Sequence, residues 1–166
     1  LDASLQEVLT APAETDDGKT KAKAKKIFNV EVNVLKDSKI LNHIKKFYRD
    51  SKNSRHTSSS LKVKKVYTVK IDKMHKAYET KGSKVGGVME LWHGTRTENL
   101  LSILKGGLII PKSSAGHVTG RMYGDGIYFS DQSTKSLNYS QGYWGHGGRD
   151  NNPFMFLANV AMGKYY

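Results

Sequence analysis

The stretch from Phe154 to Met162 reads Phe-Met-Phe-Leu-Ala-Asn-Val-Ala-Met, almost without a polar break. A strand that is apolar on both faces has to be covered on both, so this segment belongs inside a sheet, with a neighbour on either side. The rest of the chain must supply that cover. With 166 residues, 37% of them hydrophobic and 25% charged, it can do so around a single core, as an ordinary globular domain does.

The other segments carry the two periodicities that build such a cover. Phe28, Val30, Val32 and Val34 alternate with polar residues, which predicts a half-buried strand opening near Ile27. Asp37 or Ser38 offers a cap, and Ile40, Leu41, Ile44, Phe47 and Tyr48 follow at helical spacing, predicting an amphipathic helix over residues 38–49. Ser51 to Ser60 reads as a polar loop. Leu61, Val63, Tyr67, Val69 and Ile71 alternate again with lysines and a threonine, a second strand, and Val88 to Trp92 is a third that runs into His93. Thr95 and Glu98 have capping-box spacing ahead of Leu100, Leu101, Ile103 and Leu104, and Gly106 and Gly107 end that helix. A glycine- and serine-rich loop spans Pro111 to Gly126, Ile127 to Phe129 is a short strand, and Asp131 or Ser133 caps a helix through Tyr139. Gly142 to Asn152 is an open loop. Strands and helices alternate in no strict order, and that pattern gives an α+β fold.

Charge is uneven along the chain. Lysine and arginine outnumber aspartate and glutamate by 27 to 15, a net charge of +12. Residues 1–90 hold 20 basic and 11 acidic side chains, and residues 91–166 hold 7 and 4, so the basic surplus lies mostly outside the chemistry described next. The surplus is compatible with nucleic acid as a partner through phosphate neutralisation, and equally with a solvated basic surface. Residues 1–26 are expected to be a flexible basic linker or the remnant of a preceding domain. The lysine run from Lys19 to Lys26 is either a phosphate-contacting or import patch or part of that linker. There are no cysteines, which removes disulfides, zinc-thiolate sites and cysteine nucleophiles and fits an intracellular setting, nuclear or cytoplasmic. No apolar run is long enough for a membrane span, so no membrane partner is expected.

Three clusters after position 90 carry candidate chemistry: Leu91-Trp-His-Gly-Thr-Arg96, Gly120-Arg-Met-Tyr-Gly-Asp-Gly-Ile-Tyr-Phe-Ser-Asp131, and Thr134-Lys-Ser-Leu-Asn-Tyr139. Taken singly, each has a plain structural reading. His93 fits a hydrogen-bonded histidine at a strand end, Gly124 and Gly126 fit a tight turn, and Tyr128 and Tyr139 fit core aromatics with tethered hydroxyls.

In this order and spacing the three clusters resemble the catalytic domain of the poly(ADP-ribose) polymerase family, over residues 27–166. That family is a diphtheria-toxin-like ADP-ribosyltransferase, so the resemblance implies mostly antiparallel sheets forming a split sandwich with flanking helices. It implies transfer of ADP-ribose from NAD+ to a protein or nucleic-acid acceptor with release of nicotinamide. His93 and Tyr128 are the catalytic candidates. The resemblance gives the main-chain N–H and C=O of Gly94 to the nicotinamide carboxamide, with a third hydrogen bond from Ser136. Tyr128 and Tyr139 would sandwich the pyridinium ring, whose charge suits an aromatic face. His93 would bond the adenosine ribose and fix the donor's register, and Thr95 and Asn99 would reach the adenosine half. Pro111 to Gly126 matches the loop that lines the cofactor cleft. Lys135 either neutralises the diphosphate or is solvated.

The likeness has departures. The family's third catalytic residue is a glutamate on a later strand, expected beyond Tyr166. Either the last strands follow outside this sequence, or the domain has a shortened form that binds NAD+ without turning it over. Ile109 stands where nuclear polymerases carry an arginine, so the adenine contact there is in doubt. Tankyrase-like members resemble the chain in the Val-x-x-Gly turn at Val160 to Gly163, but bind zinc through cysteine and histidine where this chain has only His146, so no metal is expected. Residues 1–26 hold at most a remnant of a helical regulatory subdomain, which would leave the donor cleft open without an activating partner. A silent NAD+ or ADP-ribose binding module and a basic nucleic-acid-binding protein are the competing classes. An RNA 2′-phosphotransferase is a distant relative that Tyr128, Ser136 and Tyr139 fit less well.

Overall fold

A computed structural model of the chain describes residues 29–110, 122–141 and 152–164. The expected linker over residues 1–26, the loop from Pro111 as far as Arg121 and the loop from Gly142 through Asn151, with its zinc expectation, lie outside the described residues. Among the described residues the strands form two antiparallel pairs, β1 (Val30–Val34) with β2 (Tyr67–Ile71) and β3 (Val88–Gly94) with β4 (Met155–Ala161). Helices flank both pairs, so the fold is α+β with a split antiparallel sheet.

Helix α1 (Ser38–Asp50) begins where the sequence places its cap. The Asp37 carboxylate accepts from Lys39 N at 2.8 Å and Ile40 N at 3.1 Å, filling main-chain donors that have no partner in a first turn. Its apolar stripe enters the core, where Tyr48, Trp92 and Leu137 are buried together, with Ile44, Phe47, Leu61, Val63, Met155 and Leu157 packed around them. Phe47 stacks on the Trp92 indole at 5.5 Å and Tyr48 meets its edge at 6.0 Å.

Several expectations change. The second strand is shorter than Leu61–Ile71: the ladder holds only Tyr67–Ile71, because Leu61 and Val63 turn into the core instead of pairing. The apolar sides of β1 and β2 were expected to be half-buried, yet Val32, Val34, Tyr67 and Val69 are exposed. Two strands bury one face only where another layer covers it, and among the described residues that cover buries Ile71 and partly its partner Val30. The Ser51–Ser60 loop contains a short helical turn, Thr57–Ser60. Between Ile71 and Val88, where no element was expected, lie α2 (Asp72–Ala77), a wide turn Tyr78–Gly82 and α3 (Ser83–Val85).

The capping box does not form. Glu98 Oε1 pairs with Arg96 Nε at 2.7 Å instead of reaching back, Thr97–Asn99 makes a tight turn, and α4 (Leu100–Gly106) starts after it without a side-chain cap. Gly107 ends α4 at φ 83°, as its type predicts. The last described helix, α5 (Ser133–Ser140), has Gln132 and not Asp131 or Ser133 at its cap position, again with no side-chain cap bond. Ser133 N is satisfied by the Ser51 carbonyl at 3.1 Å instead. No helix among the described residues is long and apolar enough to cross a membrane.

Candidate functional site

Among the described residues, strand β3 has β4 along one edge and a single bridge along the other. Trp92 N donates to Ser130 O at 2.8 Å and Ser130 N to Trp92 O at 2.9 Å. The expected strand Ile127–Phe129 therefore contributes no ladder, only this one pair at Ser130. In an antiparallel ladder, residues two apart send their N–H and C=O to the same edge. Gly94 thus directs its main-chain groups to the side of the Ser130 bridge, where Tyr128 lies, past the point at which pairing stops.

Pairing stops because His93 takes the next carbonyl. Its Nδ1 lies 2.8 Å from Tyr128 O. A carbonyl only accepts, so Nδ1 carries the proton. Burial pushes the His93 imidazole below the usual histidine range, partly offset by that hydrogen bond. The ring is therefore neutral at physiological pH, and its Nε2 is an acceptor. Phe129 and Phe156 pack on it at ring distances of 5.5 and 6.4 Å.

Helix α5 closes the other side through buried hydroxyls. Ser133 Oγ donates to Tyr48 O at 2.8 Å, Asn53 N donates to Thr134 Oγ1 at 2.9 Å, and Ser58 Oγ donates to Thr134 O at 3.2 Å. His56 Nδ1 shares a hydrogen bond with Thr134 Oγ1 at 2.9 Å. Ser133 and Thr134 have no exposed surface. The helix is thereby pressed against the end of β3, where a Cβ built on Gly94 would lie 1.7 Å from Ser136 O. Ser136 Oγ donates to Trp92 O at 3.0 Å, which leaves its lone pairs to accept.

The remaining candidates fall around this junction. Tyr128 and Tyr139 are 39% and 38% exposed, and Lys135 is exposed one helical turn before Tyr139. Thr95 Oγ1 accepts from Asn99 Nδ2 at 3.0 Å, so this pair is built as a unit. The structure links His93 to Tyr128 and Gly94 to Ser136 directly, places Tyr139 three residues beyond Ser136 on α5, and pairs Thr95 with Asn99 beyond the end of β3. Sequence reasoning missed Phe129 and Phe156 as the packing of His93. Strand register, which a continuously apolar segment does not reveal in sequence, seats Phe156 opposite His93. Among the described residues no three His, Asp or Glu side chains converge as a metal would require.

Comparison with known proteins shows the family of the chain. The family model for the poly(ADP-ribose) polymerase catalytic domain matches residues 38–166. The chain is 33% identical to poly(ADP-ribose) polymerase 1 of Arabidopsis thaliana over 132 residues, which is 78% of this chain and 13% of that protein. It is 42% identical to the human poly(ADP-ribose) polymerase 2 over 76 residues, 46% of this chain and 12% of that protein. The tankyrase of Caenorhabditis elegans matches at 42% over 74 residues, 45% of this chain and 3% of that protein. The tankyrase match is no stronger than the one to polymerase 2, so these comparisons do not single out tankyrases. The chain spans a small fraction of the length of these relatives. It belongs to the poly(ADP-ribose) polymerase catalytic domain family, a family of ADP-ribosyltransferases.

Proposed function

We propose that residues 27–166 belong to a domain that transfers ADP-ribose from NAD+ to a protein or nucleic-acid acceptor, releasing nicotinamide. The observation that carries this reading is the open edge at Gly94, flanked by Tyr128 on one side and Ser136 on the other. A carboxamide needs one acceptor and one donor side by side, and a free strand edge offers both. Ser136 Oγ adds a third hydrogen bond as an acceptor, its own proton remaining on Trp92 O. The exposed Tyr128 and Tyr139 rings stack on the pyridinium. Neutral His93 accepts from the adenosine ribose through Nε2, and Thr95 with Asn99 meets the adenosine half.

Cleavage of the bond between nicotinamide and ribose builds oxocarbenium character on that ribose. The residues here hold both ends of the donor still while that bond stretches, which is how orientation lowers a barrier. A glutamate of the kind the family resemblance implies would face the developing charge, a kind of electrostatic help worth roughly a hundred- to thousand-fold in rate. The basic surplus of residues 1–90 leaves room for a polyanionic acceptor or scaffold, and an intracellular setting, where NAD+ is found, fits this donor.

The test is to incubate the full-length protein with NAD+ labelled in its adenylate half and follow the label onto protein and onto nucleic acid. Labelling that is lost in Tyr139→Ala supports the transferase. NAD+ binding without transfer selects the silent module, and salt-dependent nucleic-acid binding without NAD+ affinity selects the third class.

A further inference from the structure

The Tyr128 phenol is tied twice to the turn that precedes it. Its O–H donates to Gly124 O at 2.6 Å, and its oxygen accepts from Tyr123 N at 3.2 Å. Both partners are main-chain atoms, four and five residues upstream. Gly124 presents its carbonyl from φ 91°, in the left-handed region that side-chain-bearing residues avoid. A Cβ added there would meet nothing within 4 Å. The glycine is therefore needed for its conformation, not for space.

The ring is more than a third exposed. Two hydrogen bonds at the far end of the phenol anchor its oxygen, and with it the position and long axis of the ring. A ring that must meet a flat cationic partner gains affinity when its place is set beforehand. We propose that the Tyr123–Gly124 turn is a positioning element that holds the Tyr128 ring in place for nicotinamide. The inference rests on the nicotinamide reading above, and it assigns the hydroxyl and the glycine a purpose separate from the stacking itself.

The experiment measures nicotinamide and, separately, ADP-ribose affinity for the parent, Tyr128→Phe, Gly124→Ala and the double variant, using the full-length protein. Amide exchange at Tyr123 is followed in parallel. Loss of one or two neutral hydrogen bonds predicts about fivefold weaker nicotinamide binding in each single variant. The double variant should lose no more than the worse single, since both break one tie. ADP-ribose, which lacks the pyridine, should bind all four alike, whereas general damage would weaken both ligands. Exchange at the Tyr123 amide should speed up in Tyr128→Phe. Parent-like nicotinamide binding by Tyr128→Phe, or losses that add in the double variant, would overturn the inference and leave the pocket standing. A parent that binds no nicotinamide at all would overturn the pocket reading and this inference with it.

Discussion

Gly94 and Ser136 touch through their main chains: a methyl group on Gly94 would stand 1.7 Å from the Ser136 carbonyl oxygen. The glycine is required by the fold before any ligand arrives, because α5 crosses the end of β3 at backbone distance. Gly94→Ala should lower stability by about 3 kcal/mol, as overpacking with no flexible side chain to yield does. Urea denaturation monitored by tryptophan fluorescence checks this, and parent-like stability would mean that α5 lies further from β3. A bulkier residue at 94 would unfold the site, so Tyr139→Ala is the cleaner probe of binding.

Ser133 holds the start of α5 to the end of α1. It has no exposed surface, and its hydroxyl donates to Tyr48 O at 2.8 Å. Ser133→Ala leaves a buried carbonyl short of a donor and should cost about 2 kcal/mol. The same denaturation measurement reads it. Ser133→Thr, which keeps the hydroxyl but adds a methyl in a filled site, should not restore full stability.

Tyr139 separates binding from folding. With 38% of its surface exposed, its truncation should destabilise less than Gly94→Ala does. Loss of one face of the aromatic sandwich should weaken nicotinamide roughly tenfold. Calorimetric titration of parent and Tyr139→Ala tests the pair of outcomes, and equal affinities would remove Tyr139 from the site.

His93 predicts the acid side of both stability and binding. Its folded value is depressed by burial, so the unfolded chain takes up a proton, near the ordinary value of about 6.5, that the folded chain refuses. The His93 contribution to stability is therefore present above that pH and is lost as pH falls through it toward the lower folded value. NAD+ affinity, which needs Nε2 unprotonated, should hold down to about 6.5 and fall only below it. Comparing the parent with His93→Gln from pH 8 to pH 5 isolates this histidine from His43, His56 and His75. An affinity midpoint above the ordinary histidine value would contradict the neutral assignment.

How much of this was legible in the residues divides by the kind of signal. The α1 cap at Asp37 and the end of α4 at Gly107 followed from local chemistry, and local chemistry delivered them. A strand forms over Met155–Ala161 as expected, but among the described residues β3 alone pairs with it and its side chains are only partly buried, so the expected second neighbour is not seen there. The capping box failed because Glu98 found Arg96 nearer than the helix start. Leu61 and Val63 were read as strand because alternation reports which residues face inward and not what the backbone pairs with. In the candidate site, the motif spacing singled out Gly94, Tyr128, Ser136 and Tyr139. It gave no sign that Ser136 packs against Gly94, because the two are 42 residues apart in sequence. The polar surface of α5, with Ser133, Thr134, Ser136 and Asn138 buried, reads in sequence as a solvated helix and is the reverse of one in the fold.

The most direct measurement is an amide and aromatic chemical-shift titration of the protein with nicotinamide. The largest changes should fall on the Gly94 amide and on the Tyr128 and Tyr139 ring protons, with Ser136 following. Changes centred instead on the polar depression formed by Asp50, Ser51, Lys52, Asn53 and Gln132, with Gly94 and both tyrosines unmoved, would contradict the site.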